Sequence, residues 1–239
     1  MNNTTKLLIN HFLCHLMIIP AFIYGELWML VASFGWWQII ATIAISGGYH
    51  RYYSHRSFKT KLWYQYVVNF LGIFSGAGPV LSWTGAHRMH HAHSDTEDDP
   101  HSCKYKGFWT IYLNTWGYYS IINRRFLKDM LGDPVVKWFY KNYFKINLAI
   151  IIVLLLIDPL FFIFAYAIPV VFAFHGYSLL NTMGHKDGQP CNSWIANILT
   201  AGEGWHNNHH SDSNNYRIGK VWWQFDPTAY FIKLIKING

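Results

Sequence analysis

His50 and His55 in HRYYSH, His87, His90 and His91 in HRMHH, and His206, His209 and His210 in HNNHH place eight of the chain's 14 histidines in three short windows. Neutral imidazole is a ligand for iron, copper and zinc, and eight such rings exceed the four that one tetrahedral zinc accepts. The economical reading is more than one metal ion. On a helix, positions i, i+3 and i+4 share a face, so each HxxHH box can project its three rings in one direction. Adjacent histidines diverge by about 100°, which suits feeding two neighbouring metals. His50 and His55, five positions apart, diverge by about 140° on a regular helix and converge only where the helix end departs from ideal geometry, as Gly47 and Gly48 would allow. His185 is a ninth candidate, with Asn181 one turn before it on the same face, able to hydrogen-bond a metal-bound water.

The elements that must carry these rings are strongly apolar. Of the 239 residues 52% are hydrophobic, 19% aromatic and only 13% charged, about half the charge of a soluble domain. An integral membrane protein follows. About 20 apolar residues span a bilayer as a helix, and four stretches approach that, at about 7–24, 28–47, 144–157 and 160–184. Only Gly25, Glu26 and Leu27 separate the first two, and Asp158 and Pro159 the last two, so both pairs read as tight hairpins. A signal peptide fits poorly, because no small-x-small cleavage site follows the first stretch. The segment 62–81 holds Gln65, Asn69, three glycines and Pro79, and a full crossing there would put the first two boxes on opposite faces; it is expected to be interfacial. A single domain, 1–239, is expected, with a helical cap over 85–143 and 185–239. Within it, 107–137 reads as an interfacial helix pair broken near Gly132, Asp133 and Pro134, and 227–237 as a closing helix.

Charge tests this topology independently. All 19 Lys and Arg fall on the histidine side and only Glu26 and Asp158 on the other, which puts both termini and all three boxes in the cytoplasm. The net charge of +7 is thereby explained by orientation, and no base-stacking motif suggests nucleic acid. Cys14, Cys103 and Cys191 form neither a CxxC nor a disulfide framework.

HRYYSH, HRMHH and GEGWHNNHH, with Asn181 and His185 between them, resemble the histidine boxes of the membrane fatty acyl desaturases, most of all the bacterial acyl-CoA type. The likeness runs from about Gly47 to Ile235 and takes in Asp99-Pro100-His101 and WWQFDPT at 222–228. It implies an all-α membrane protein of four spans in two hairpins whose cytoplasmic cap carries a di-iron site (Fe2+/Fe3+) using O2. The ligands it implies are His50, His55, His87, His90, His91, His185, His206, His209 and His210. One iron would take His50, His55, His87, His91 and His210, and the other His90, His185, His206 and His209 with a water held by Asn181. It further implies a cis double bond, often at carbon 9, in a long-chain acyl-CoA or acyl-lipid. Electrons are expected from a separate donor, ferredoxin or a b-type cytochrome, since the chain shows no haem-binding fusion. Trp83 matches a position lining the bend of the substrate tunnel. Tyr177 and Ser178 stand where the family often has Thr-Trp, which bears on chain length and the bond oxidised.

Such a site meets the chemical demand, because an unactivated methylene C–H bond is beyond acid or base side chains and requires a metal working with dioxygen. A hydroxylase with the same ligands is the nearest alternative. A metal transporter would need ligands along the spans. Asp99, in the acidic run of Asp95, Glu97, Asp98 and Asp99, can orient a ligand imidazole. Arg88 can pair with that run or meet the headgroup. His11 and His15 are assigned to helix packing, His93 and His101 to the surroundings of the site, and His175 either to the tunnel wall or to a hydrogen bond between helices.

Overall fold

A computed structural model describes residues 1–117 and 122–237. Helix α1 (Asn3–Tyr24) and helix α2 (Leu27–Ser54) follow one another across Gly25 and Glu26, and each is long and apolar enough to cross a membrane. Pro20 lacks the N–H that would bond the Leu16 carbonyl, and α1 is interrupted at Met17. Helix α3 (Trp63–Ser75) and helix α4 (Val80–His93) meet at a bend of 84°. Gly76 and Gly78, both at positive φ, with Pro79 make that corner, so the segment expected to be interfacial turns back and delivers the second histidine box on α4.

Short helices α5 (Cys103–Lys106) and α6 (Phe108–Leu113) follow, then a 3₁₀ turn at Arg124–Leu127. Part of the helix pair expected over 107–137 falls on 118–121, outside the described residues. The third apolar segment belongs to a longer helix than expected, α7 (Pro134–Ile157). Asp133 accepts hydrogen bonds from the Val135 and Val136 amides with Pro134 at the first helical position, a start signal where the sequence suggested only a break. Asp158 caps helix α8 (Pro159–Met183) in the same way through the Leu160 amide at 2.6 Å. The turns at Gly25-Glu26 and Asp158 are as tight as the sequence indicated.

Helices α2 and α8 are joined at a local break in α8. Residues Ile163–Ala167 are π-helical and Pro169 follows. Pro169 has no N–H, so the carbonyls of Phe164 and Ala165 lack helical donors. Ser33 Oγ and Trp36 Nε1 of α2 donate to them at 2.7 and 3.0 Å. Beyond α8, strands β1 (His185–Lys186) and β2 (Gln189–Pro190) pair antiparallel around Asp187-Gly188, both at positive φ, the residue pair favoured in tight hairpins. Helices α9 (Trp194–Leu199), α10 (His206–Ser211) and α11 (Pro227–Ile235) complete the cap.

Candidate metal centre

The last 14 residues of α2, Ala41–Ser54, are π-helical. A π-helix bonds residue i to i+5, and the His55 amide donates to the His50 carbonyl at 3.1 Å. Winding wider than 3.6 residues per turn brings positions five apart towards one side, which is how HRYYSH aims both rings at one point. Gly48 permits it, because a Cβ there would stand 2.4 Å from a Val68 methyl of α3. The second box rides on α4. The third rides on α10, whose approach is fixed by Gly204: a Cβ there would meet the Ser193 carbonyl and the Asn197 amide at 2.2 Å. His185 opens β1 at the exit of α8.

The nine rings converge in two groups, His50, His55, His87, His91 and His209 in one and His90, His185, His206 and His210 in the other; within each group the candidate ligand atoms lie within 4.8 Å of one another. In the first, Nε2 to Nε2 distances are 3.0 Å for His50 and His209, 2.8 Å for His55 and His87 and 3.0 Å for His91 and His209. In the second they are 3.3 Å for His90 and His210, 3.0 Å for His185 and His206 and 3.1 Å for His206 and His210. Two imidazoles bound at right angles at about 2.1 Å would stand about 3.0 Å apart, so the donor set fits one ion in each group.

The division exchanges His209 and His210 relative to the expectation, for a helical reason. Residues i and i+4 lie almost in line, whereas i+3 falls to the other side of that line. His87 and His91 therefore enter one group with His90 in the other, and His206 and His210 enter one group with His209 in the other. Each box gives its i, i+4 pair to one centre and its i+3 ring to the opposite one.

Carboxylates hold three of the rings from behind. His50 Nδ1 lies 2.5 Å from Glu203, His90 Nδ1 2.8 Å from Asp99 and His185 Nδ1 2.8 Å from Asp95. An acceptor at Nδ1 fixes the proton there and leaves the Nε2 lone pair facing inward. The Asp95 amide also donates to Asp99 at 2.9 Å, coupling two of these supports. Glu203 and Asp95 were not singled out by the sequence reading; the signal was a lone acid three residues before His206 and an acidic run beginning four residues past the second box. Glu203 is buried between His50 and Arg51, and Arg51 also binds Asp226 at 2.9 Å. Burial alone would raise the Glu203 carboxyl, but His50 and Arg51 hold it down at about 2. Arg88 turns away from the acidic run, to Asp129 and to the carbonyls of Tyr53 and Ser54.

Burial, reinforced by the neighbouring rings, pushes His87, His206 and His209 well below the ordinary imidazole range and His55 and His210 down to about 2. These five rings are thus neutral at physiological pH with lone pairs available. Trp83 stacks on His87, ring centres 4.9 Å apart at 18°. Trp83, Tyr177 and Asn181 line two small spaces of about 30 and 20 Å³ beside the centre. Asn181 Nδ2 donates to the Thr115 carbonyl at 2.9 Å, whereas Ser178 turns to the Tyr112 carbonyl at 2.7 Å. His101 lies 5.6 Å from His90, ring to ring, and His93 contacts Arg125. His11, His15 and His175 stand apart, on α1 and α8.

Comparison with known proteins places the arrangement. The model of the fatty acid desaturase family matches residues 26–231. The chain is 35% identical to an sn-1 stearoyl-lipid 9-desaturase of Anabaena variabilis, over 87% of the chain and 80% of the relative. It is 34% identical to a protein of the same description from Synechocystis sp., over 96% and 75%. It is 31% identical to an acyl-CoA 5-desaturase of Anemone leveillei, over 87% and 71%.

Proposed function

The chain belongs to the fatty acid desaturase family and is thereby an oxidoreductase, and from that premise we propose that it introduces a cis double bond near carbon 9 of a long-chain acyl group using two iron ions and O2. The observation that carries the reading is the convergence of nine imidazoles into groups of five and four. Five imidazoles at one point exceed what tetrahedral zinc takes, and iron accepts them. When bound, the iron pair supplies activation of dioxygen for removing hydrogen from unactivated methylenes. The reaction balances as two vicinal hydrogens from the chain, one O2, two electrons and two protons giving one double bond and two waters.

The protein's own work is to position and to exclude water. Glu203, Asp99 and Asp95 orient His50, His90 and His185. Arg51 pairs with both Glu203 and Asp226 in the buried interior. Trp83 and Tyr177 wall the space under the first group, against which the reacting methylenes would lie. Asn181 is near enough to His185 and His206, all three lining one small space, to hold a water on the four-histidine side, where a ligand position is left over. The carrier of the acyl chain is a glycerolipid or coenzyme A, both represented among the relatives, and the electrons come from a separate one-electron carrier, ferredoxin or a b-type cytochrome.

Four helices able to cross a membrane, with Glu26 and Asp158 alone at the turns opposite the histidines, support a multi-pass protein whose boxes and termini face the cytoplasm. The test is expression in a desaturase-deficient host followed by gas chromatography with double-bond localisation. A new monounsaturated acid that disappears in His206→Ala is the expected result. A hydroxy acid, or no product from iron-loaded protein supplied with a donor, refutes the reading.

A further inference from the structure

A groove of about 1000 Å³ lies between α1, α6 and α8. Leu8 and Phe12 form one wall, Phe174 and His175 the other, and Met89 of the ligand-bearing helix α4 closes its inner end. At about 30 Å³ per water-sized unit it holds roughly thirty methylene-sized groups, whereas the spaces of about 30 and 20 Å³ beside the metal centre hold about one. Groove and inner space are separated by a partition one residue thick. Asn114 lines the groove while the next residue, Thr115, lines the space beside His87; Pro100 and His101 divide in the same way. Asn181 fastens this partition to α8 through the Thr115 carbonyl.

The outer wall is held by a directed hydrogen-bond chain. His15 Nδ1 meets the His11 carbonyl at 2.7 Å and must donate to it, so its Nε2 accepts. His175 Nε2, at 3.3 Å, then donates to His15, and His175 Nδ1 accepts from the Tyr112 hydroxyl at 2.8 Å. Three elements are thereby joined around a groove whose rim residues Phe12 and Leu113 are 64% and 61% exposed.

Resting on the desaturase reading, we propose that this groove admits a diacylglycerolipid sideways from the bilayer, with a headgroup of no net charge, and that this lipid carries the acyl chain to the metal centre. The apolar walls belong to two candidate membrane spans, and the groove ends at the cap among Glu97, Asp98 and Lys106. Lys106 is already engaged, its Nζ donating to the carbonyls of Glu97 and Asp99 at 2.8 and 2.6 Å. Two acids and one engaged lysine offer nothing to neutralise the phosphates of coenzyme A, and they suit a zwitterionic or sugar headgroup. The partition is the element that must shift for the chain to pass inward.

The experiment uses iron-loaded protein in nanodiscs containing deuterated 1-stearoyl-2-oleoyl phosphatidylcholine, with stearoyl-CoA carrying a different label and a common reductant. The expected result is a labelled double bond in the lipid and none in the thioester. Filling the groove with Leu8→Trp and Thr110→Trp, both distant from the ligands in sequence, lowers lipid conversion more than tenfold at unchanged iron content. Conversion of stearoyl-CoA alone, or full lipid activity in the filled variant, overturns the proposal and leaves the desaturase reading intact. If neither substrate reacts, the desaturase reading fails, and the groove is judged by a phosphatidylcholine bearing a diazirine in its acyl chain: labelling of peptides holding Phe12 or Phe174, lost in the filled variant, supports lipid entry, and labelling elsewhere overturns it.

Discussion

Two histidine assemblies share this molecule and differ in kind. At the candidate metal centre, nine rings point their Nε2 lone pairs inward to two points, and three of them have Nδ1 tied to a carboxylate. In the spans, His15 and His175 are strung head to tail with Tyr112, and the chain ends on a backbone carbonyl. A hydrogen-bond chain consumes one lone pair and one proton at each link, whereas a converging set with its protons held outside leaves every lone pair free for a cation. Histidine count does not make a metal centre; the direction of the lone pairs does.

That contrast can be broken most severely at the rings that cross between the boxes. His209→Ala removes the ring by which the third box reaches the five-histidine group, and is expected to lower turnover more than about 100-fold with loss of one iron, checked by iron content alongside product. A smaller effect is expected from the supports: Asp95→Asn or Asp99→Asn keeps the ligand but weakens its orientation, lowering metal affinity by about 10–100-fold, measured by chelator competition.

Acid should separate the two assemblies without mutation. Burial holds the folded-state pKa values of His55, His87, His185, His206, His209 and His210 below the unfolded value of about 6.5, so below that pH the unfolded chain binds protons that the folded cluster refuses, and stability is lost as pH falls. Metal-free protein should therefore melt at a lower temperature at pH 5.5 than at pH 7.5, and thermal unfolding in detergent checks it. The loss extends down towards about 2, where His55 and His210 titrate in the folded chain. Smallest of all, His175→Phe should leave iron content unchanged and cost about 0.6–1.7 kcal/mol, the scale of a hydrogen bond between membrane helices, read from denaturation of the variant.

The nine ring positions and the four long apolar helices were legible because each is written in local spacing: clustered histidines, apolar runs, and Asp158-Pro159 between two of them. The exchange of His209 and His210 was also within reach, since applying the i, i+4 rule equally to both HxxHH boxes yields it. A departure from regular helix at the end of α2 was legible in Gly47 and Gly48, but its π-helical form over residues 41–54 was not, because that stretch is also compatible with an ordinary helix. Asp133-Pro134 could be read as a break or as a start, and its Gly132 neighbour favoured the break. Glu203 and Asp95 remained hidden because a carboxylate's partner 152 or 90 positions away in the chain is set by tertiary structure. The groove and its partition have no local signature, being assembled from α1, α4, α6 and α8.

The proposed centre holds two inequivalent iron ions on nine histidines in sets of five and four. Mössbauer spectroscopy of protein purified with iron-57 is the direct test. Two quadrupole doublets of equal area are expected, with His209→Ala and His210→Ala each perturbing a different one; a single iron environment, or both variants disturbing the same doublet, would rule out the two sets.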